Sequence, residues 1–206
     1  MTDVVTQEQP AQPPLFEPPR PHPVRLVDND DLRRSRLTVL VRVLLALPHL
    51  IWVSLYATVA LVVALVNWIV TLIKGESPMR LHRWLVRFLR YTVYVYSYFY
   101  VLANPYPPFH GEDRSYTIDL VVEGPGRQRR LVTALRIVLV IPAFVLSWVL
   151  GQVLQVLAVL NWLIAIVLGR VPRGMEQLGL YCLRYQTQVY AYLVVVTDRY
   201  PSTAGS

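Results

Sequence analysis

The chain is one unit written twice. Shifted by 94 positions it aligns with itself without a gap, so that His22–Pro107 lies over Tyr116–Pro201. About two dozen of the 86 pairs are identical, among them Arg42/Arg136, Pro48/Pro142, Asn67/Asn161, Trp68/Trp162, Gly75/Gly169 and Arg90/Arg184. Shared apolar composition would match Leu and Val by chance. It would not match Pro, Trp, Asn, Gly and Arg in register, so the chain carries an internal duplication. The boundaries are a tail over 1–21, a first repeat over 22–107, a linker over 108–115, a second repeat over 116–201 and a short end over 202–206.

Each repeat must also dispose of a long apolar run. From Leu37 to Ile73 the only charged residue is Arg42, and from Leu131 to Leu168 it is Arg136. Both runs exceed the roughly 20 residues a helix needs to cross a bilayer. Hydrophobic residues make up 54% of the chain and charged residues 16%, below the roughly 25% charged of a soluble domain. These observations predict an all-α integral membrane protein of the cell membrane.

Within each copy the order of signals is the same. A short alternating segment, "HPVRLVDN" or "YTIDLVVEG", reads as an extramembrane strand. A basic stretch follows, with Arg33 and Arg36 in copy one and Arg127 and Arg130 in copy two. Three- and four-residue steps then lead to Arg42 and Arg136, which predicts an amphipathic helix in the membrane interface. Pro48 and Pro142 place the change to a crossing helix, because proline removes a helical hydrogen bond. Gly75 with Pro78, and Gly169 with Pro172, mark a turn. A second apolar helix returns over about 84–103 and 178–197. The expectation is four crossings, two per repeat in the same sense; six is the lesser alternative, hinted at only by Gly151-Gln152. Arginine and lysine are more numerous on the side of the termini and linker, which predicts cytoplasmic termini.

The net charge of +7 is almost wholly arginine, with Lys74 the only lysine. The arginines flank apolar segments, so contact with anionic lipid headgroups is expected and nucleic-acid binding is not. The single cysteine, Cys182, excludes an internal disulfide and a cysteine-based metal site. The first 23 residues hold seven prolines and lack a basic start followed by an apolar core, which predicts a disordered tail rather than a signal peptide.

The stretch "NWIVTLIKGESPMRLHRWLVRFLRYTVYVYSYFYVLANPYPPF" resembles the core of a bacterial membrane family described as domain of unknown function 4389. An apolar helix ending in a Gly-x-x-Pro-type turn, a second helix with spaced aromatics and a terminal Tyr-Pro-Pro-Phe carry the resemblance. The upstream "PVRL…RRSRLTVLVRVLLALPHLI" is similar to longer, duplicated members of actinobacterial type. Copy two departs at "YPST". The resemblance implies a small multi-pass membrane protein and assigns no activity.

Signatures of metal, phosphate-loop, serine-hydrolase and thiol chemistry are absent, so no enzyme, cofactor or metal is expected. No acidic residue falls within an expected crossing, which disfavours a proton- or cation-coupled carrier. The duplicated polar positions Asn67, Arg90 and Tyr91, with Asn161, Arg184 and Tyr185, fall at similar depth if both helices cross. They are read as a structural polar cluster, with a pair of anionic-lipid sites as the sharper alternative. The functional expectation is a structural or accessory subunit of a membrane complex or a homo-oligomer; the alternative is a lipid- or small-solute-binding or transport module with its site between the repeats. The run "YTVYVYSYFY" alternates like a strand, but its counterpart "YQTQVYAYLV" does not, so it is read as a helix with Tyr91, Tyr94 and Tyr98 on one face and Tyr96 and Tyr100 on another.

Overall fold

The computed structural model describes residues 22–203; the proline-rich tail expected over 1–21 lies outside them. The element order is β1 (Val24–Asp28), α1 (Arg36–Leu40), α2 (Arg42–Lys74), α3 (Met79–Phe99), β2 (Ile118–Val122), α4 (Arg130–Leu139), α5 (Ile141–Leu168) and α6 (Arg173–Leu193). The two expected strands form, and they pair with each other. β1 runs antiparallel to β2 with Leu26 opposite Leu120, its own equivalent in the other repeat.

The layering follows from which faces are apolar. α3 and α6 lie side by side in the middle. The small sheet covers one side of this pair, and α2 and α5 pack on the other. The main core lies here, with Leu85, Leu89, Val93, Leu102, Leu154, Leu183 and Val196 closing on Ile118 and Leu120 of the sheet. The repeats also exchange contacts, since α1 packs on α5 and α4 on α2.

α2 and α5 end where glycine permits it. Gly75 and Gly169 take φ values of +80° and +69°, the left-handed conformation in which a side chain is strained. Each then hydrogen-bonds to the opposite repeat: Gln128 N donates to Gly75 O at 2.8 Å and Arg34 N to Gly169 O at 2.9 Å.

One expected boundary needs correction. The break after the basic stretch falls at Val41 and at Val140, not at the prolines; Pro48 lies inside α2, and Pro142 begins α5, where a missing N–H costs nothing. Among the described residues, two helices rather than four are long and apolar enough to cross a membrane, α2 and α5. α3 and α6 carry too many polar residues, and they use their apolar faces inside the protein. Finally, Gly151-Gln152 makes no turn, because α5 continues through it.

The tyrosine run is helical, as the comparison of the copies predicts. Tyr91, Tyr94 and Tyr98 are buried, while Tyr96 and Tyr100 stack with ring centres 5.8 Å apart. Tyr94 has a role that copy two lacks: its hydroxyl lies 2.7 Å from Asp119 Oδ1 and donates to Glu112 O at 2.8 Å.

Candidate ligand cleft between the repeats

Arginine does different work at different depths. Arg33, Arg36, Arg127 and Arg130 are exposed. Arg42 and Arg136 are buried instead. The Arg42 guanidinium donates to the carbonyls of Tyr98 and Ala103 at 3.0 and 2.9 Å. Arg136 donates to the equivalent carbonyls of Tyr192 and Thr197 at 2.6 and 2.9 Å. Each also lies 4.4 Å above a tyrosine ring, Tyr98 or Tyr192. They cap the C-terminal ends of α3 and α6, where carbonyls lack helical partners and the helix dipole is negative.

The expected Asn–Arg–Tyr cluster is dispersed. Arg90 points to the sheet and linker, with its guanidinium 3.0 Å from both Asp113 and Asp119 and donating to Leu120 O at 3.0 Å. Carboxylates from outside the helices thus satisfy it, a pairing that the absence of acids within the apolar segments concealed. Arg184 lies 5.3 Å from the Tyr181 ring centre. Asn67 reaches the other repeat, donating to Val194 O at 3.2 Å and accepting from the Ser77 hydroxyl at 2.7 Å. Asn161 is buried, and among the described residues neither its amide nitrogen nor its oxygen has a hydrogen-bond partner; Val171 stands where copy one has Ser77. Tyr91 bonds His49 Nδ1 at 2.8 Å, and His49 is fully buried and stacked on Phe109 at 4.0 Å. Tyr185 packs against Ala143, the residue that replaces His49 in copy two.

A further ion-paired group joins the repeats. Arg34, buried at the start of copy one, pairs with Asp30 and lies 3.4 Å from Glu176 in the first turn of α6. Burial pushes the Glu176 carboxyl up to about 7, with Asp28 and Asp30 adding to the rise and Arg34 opposing it. Copy two has Gln128 in place of Arg34, and its amide oxygen accepts from Arg136 at 2.8 Å.

The cavity of interest is lined by α3, α5 and α6, with Val53 and Ala57 of α2 at its edge. It is a cleft of about 390 Å³. Equivalent positions line it from both repeats: Val53 with Ser147, Ala57 with Gly151, and Tyr96 with Tyr190. Its polar groups come mainly from copy two. Gln152 and Gln155 project from α5 and Gln186 from α6, where copy one has Thr58, Leu61 and Thr92. Gly151 makes room for this, since a Cβ there would stand 2.9 Å from Gln186 Nε2. Gln186 donates to Ser147 O at 3.4 Å. Among the described residues, no charged side chain lines the cleft. It offers amide and hydroxyl groups surrounded by apolar and aromatic walls, a surface suited to an uncharged amphiphile. Among the described residues, no group of three or more His, Cys, Asp or Glu could hold a metal.

The glutamines were not picked out as site residues from the sequence. A signal was available, because three positions apolar or small in one copy carry glutamine in the other, but only folding brings them to one cleft.

Duplicated repeats, two long lipid-length helices and a shared central cleft define a helical protein with the features of membrane association. The chain belongs to the family described as a domain of unknown function, DUF4389, whose pattern matches it twice, over residues 36–110 and 130–204. No curated protein and no solved structure matches it.

Proposed function

We propose that this is a cell-membrane protein that binds an uncharged amphiphilic small molecule, a neutral lipid above all, in the cleft between its repeats. The observation that carries this reading is the convergence of Gln152, Gln155 and Gln186 on one cleft. Gln152 and Gln155 are exposed on α5, and half-buried Gln186 donates to Ser147 O; where this face meets acyl chains, an amide left without a partner costs of the order of 1–3 kcal/mol. A duplicated scaffold that needed only to pack would have kept the copy-one residues. The role is binding, not catalysis. Anionic lipids are assigned a separate place at the exposed arginines, and the sheet-bearing side faces the cytoplasm in this reading.

Native mass spectrometry of protein purified in mild detergent tests the proposal. Wild type should retain a neutral lipid at one per chain. Gly151→Val, which pushes into Gln186, should reduce retention at least tenfold while leaving the protein folded. No retained lipid, or equal retention by the variant, overturns the proposal in favour of a structural or accessory subunit, or of a homo-oligomer whose contacts are protein alone.

A further inference from the structure

We infer that α2 and α5 lie flat within one leaflet and that this protein is embedded in the membrane from one side without crossing it. The inference rests on the membrane reading above and is independent of what the cleft binds.

The two repeats are related by a two-fold axis. Contacts between them are reciprocal: Arg33 bridges to Arg170 as Glu76 bridges to Arg127. Trp68 Nε1 donates to Thr133 O, and Trp162 Nε1 to Val39 O, both at 2.8 Å. Leu26 faces its own equivalent, Leu120. Reciprocity of this kind is the mark of an isologous, two-fold arrangement.

A two-fold rotation leaves height along its axis unchanged, so equivalent residues stand at equal height. Near its start, α2 is tied by Arg42 to the C-terminal end of α3, at Tyr98 and Ala103. Toward its end it is tied by Asn67 to the C-terminal end of α6, at Val194 and Val195. Those two helix ends are equivalents. Two points about 37 Å apart on α2, at 1.5 Å per residue, therefore stand at the same height, within a side chain's length. α2 lies across the axis, and so does α5.

The membrane normal then runs either along these helices or along the axis. In the first case both long helices cross in opposite directions and the axis lies in the bilayer midplane. The groups nearest the axis would then sit at mid-depth. They include the strand pair at Leu26 and Leu120 and the Arg90 guanidinium bound to Leu120 O, with Asp113 at 3.0 Å. The Asp113 side chain is 68% exposed. An open two-stranded sheet and an exposed carboxylate have no place in hydrocarbon.

In the second case every group finds a suitable medium. Nearly all the exposed large hydrophobic side chains lie between Leu37 and Ile73 or between Leu131 and Leu168. They form a slab on the side of α3 and α6 away from the sheet. The sheet and the charged 112–115 loop occupy the other side. Each end of the slab carries exposed cations, Arg33, Arg36 and Arg170 at one and Lys74, Arg127 and Arg130 at the other. There they can meet the phosphates of the leaflet that would hold the slab. The cleft then opens toward the acyl chains.

Glu76→Cys, Gly174→Cys and Ser115→Cys would be labelled with a membrane-impermeant maleimide in sealed vesicles of one orientation. The native Cys182 is buried, so wild type is the background. All three should label from the same side. Labelling of Glu76→Cys and Gly174→Cys from opposite sides would show two crossing helices. Labelling of both from the side opposite Ser115→Cys would show four crossings. Either result overturns the inference. Nitroxides at Leu44→Cys, Leu55→Cys and Leu65→Cys give a second reading: equal depth supports the flat helix, and a maximum at Leu55→Cys overturns it. Recovery of the protein in the soluble fraction without detergent would overturn the membrane reading itself.

Discussion

Arg42 stands 4.4 Å above the Tyr98 ring and donates a 3.0 Å hydrogen bond to the carbonyl of the same residue. One side chain thereby closes the C-terminal end of α3, and Arg136 does the same for α6 through Tyr192. Among the described residues no carboxylate hydrogen-bonds either guanidinium; backbone oxygens and a ring face serve both, and Gln128 Oε1 is added at Arg136. Arg42→Ala would strip the donor from Ala103 O and one of two donors from Tyr98 O, which also accepts from Val101 N at 3.1 Å. We expect a loss of about 2–4 kcal/mol, read as a lower thermal midpoint in detergent. Arg42→Lys should recover only part of it, because an ammonium can take the place of Nη1 between the two carbonyls but has no planar face to lie on the Tyr98 ring.

Asn67 and Asn161 should respond differently to the same change. Asn67 hydrogen-bonds to Val194 O and Ser77, whereas Asn161 is buried without a partner. Asn67→Leu should cost about 1–3 kcal/mol, and Asn161→Leu should be neutral or stabilising. Val171→Ser, which restores the missing hydroxyl, should raise the thermal midpoint of wild type and lose that effect in an Asn161→Leu background.

Glu176 makes stability depend on pH with a definite sign. Its carboxyl is raised to about 7 from 4.5, so the folded state holds a proton that the unfolded state has lost between those values. Stability should therefore rise as pH falls from about 7.5 to 5, by at most about 1.4 kcal/mol per pH unit. Asp30, also raised by burial, adds to the same trend at lower pH. Thermal midpoints across that range should flatten in Glu176→Gln.

Arg90 ties α3 to Asp113, Asp119 and Leu120 O. Arg90→Ala should release the 111–119 segment without emptying the cleft. Trypsin cleavage after Arg114 should accelerate at least tenfold, while lipid retention stays at the wild-type level. Unchanged cleavage would show that this ion pair does not hold the segment.

Several of these relationships were visible before folding. The 94-residue repeat, the strands at the head of each copy, the turns at Gly75 and Gly169 and the helical reading of the tyrosine run all rest on local chemistry. A left-handed glycine, a proline that cannot donate and a period of 3.6 act over a few residues, and sequence records them directly. The destination of a long side chain is not local. Arg90 was expected near Asn67 because both were assigned depths along crossing helices, yet it turns to carboxylates in the linker. Arg42 and Arg136 looked like headgroup contacts and are internal caps.

By itself the sequence determined that the protein is double, helical and too apolar over two long runs to be covered by its own surface. Composition and periodicity suffice for that, since they set what must be buried and how often. Only the tertiary structure decided how the copies face each other. It pairs β1 with β2, crosses α1 onto α5 and α4 onto α2, and brings Gln152, Gln155 and Gln186 to one cleft. Those choices depend on contacts between residues dozens of positions apart, where a two-fold arrangement satisfies each Trp, each helix end and each turn twice over.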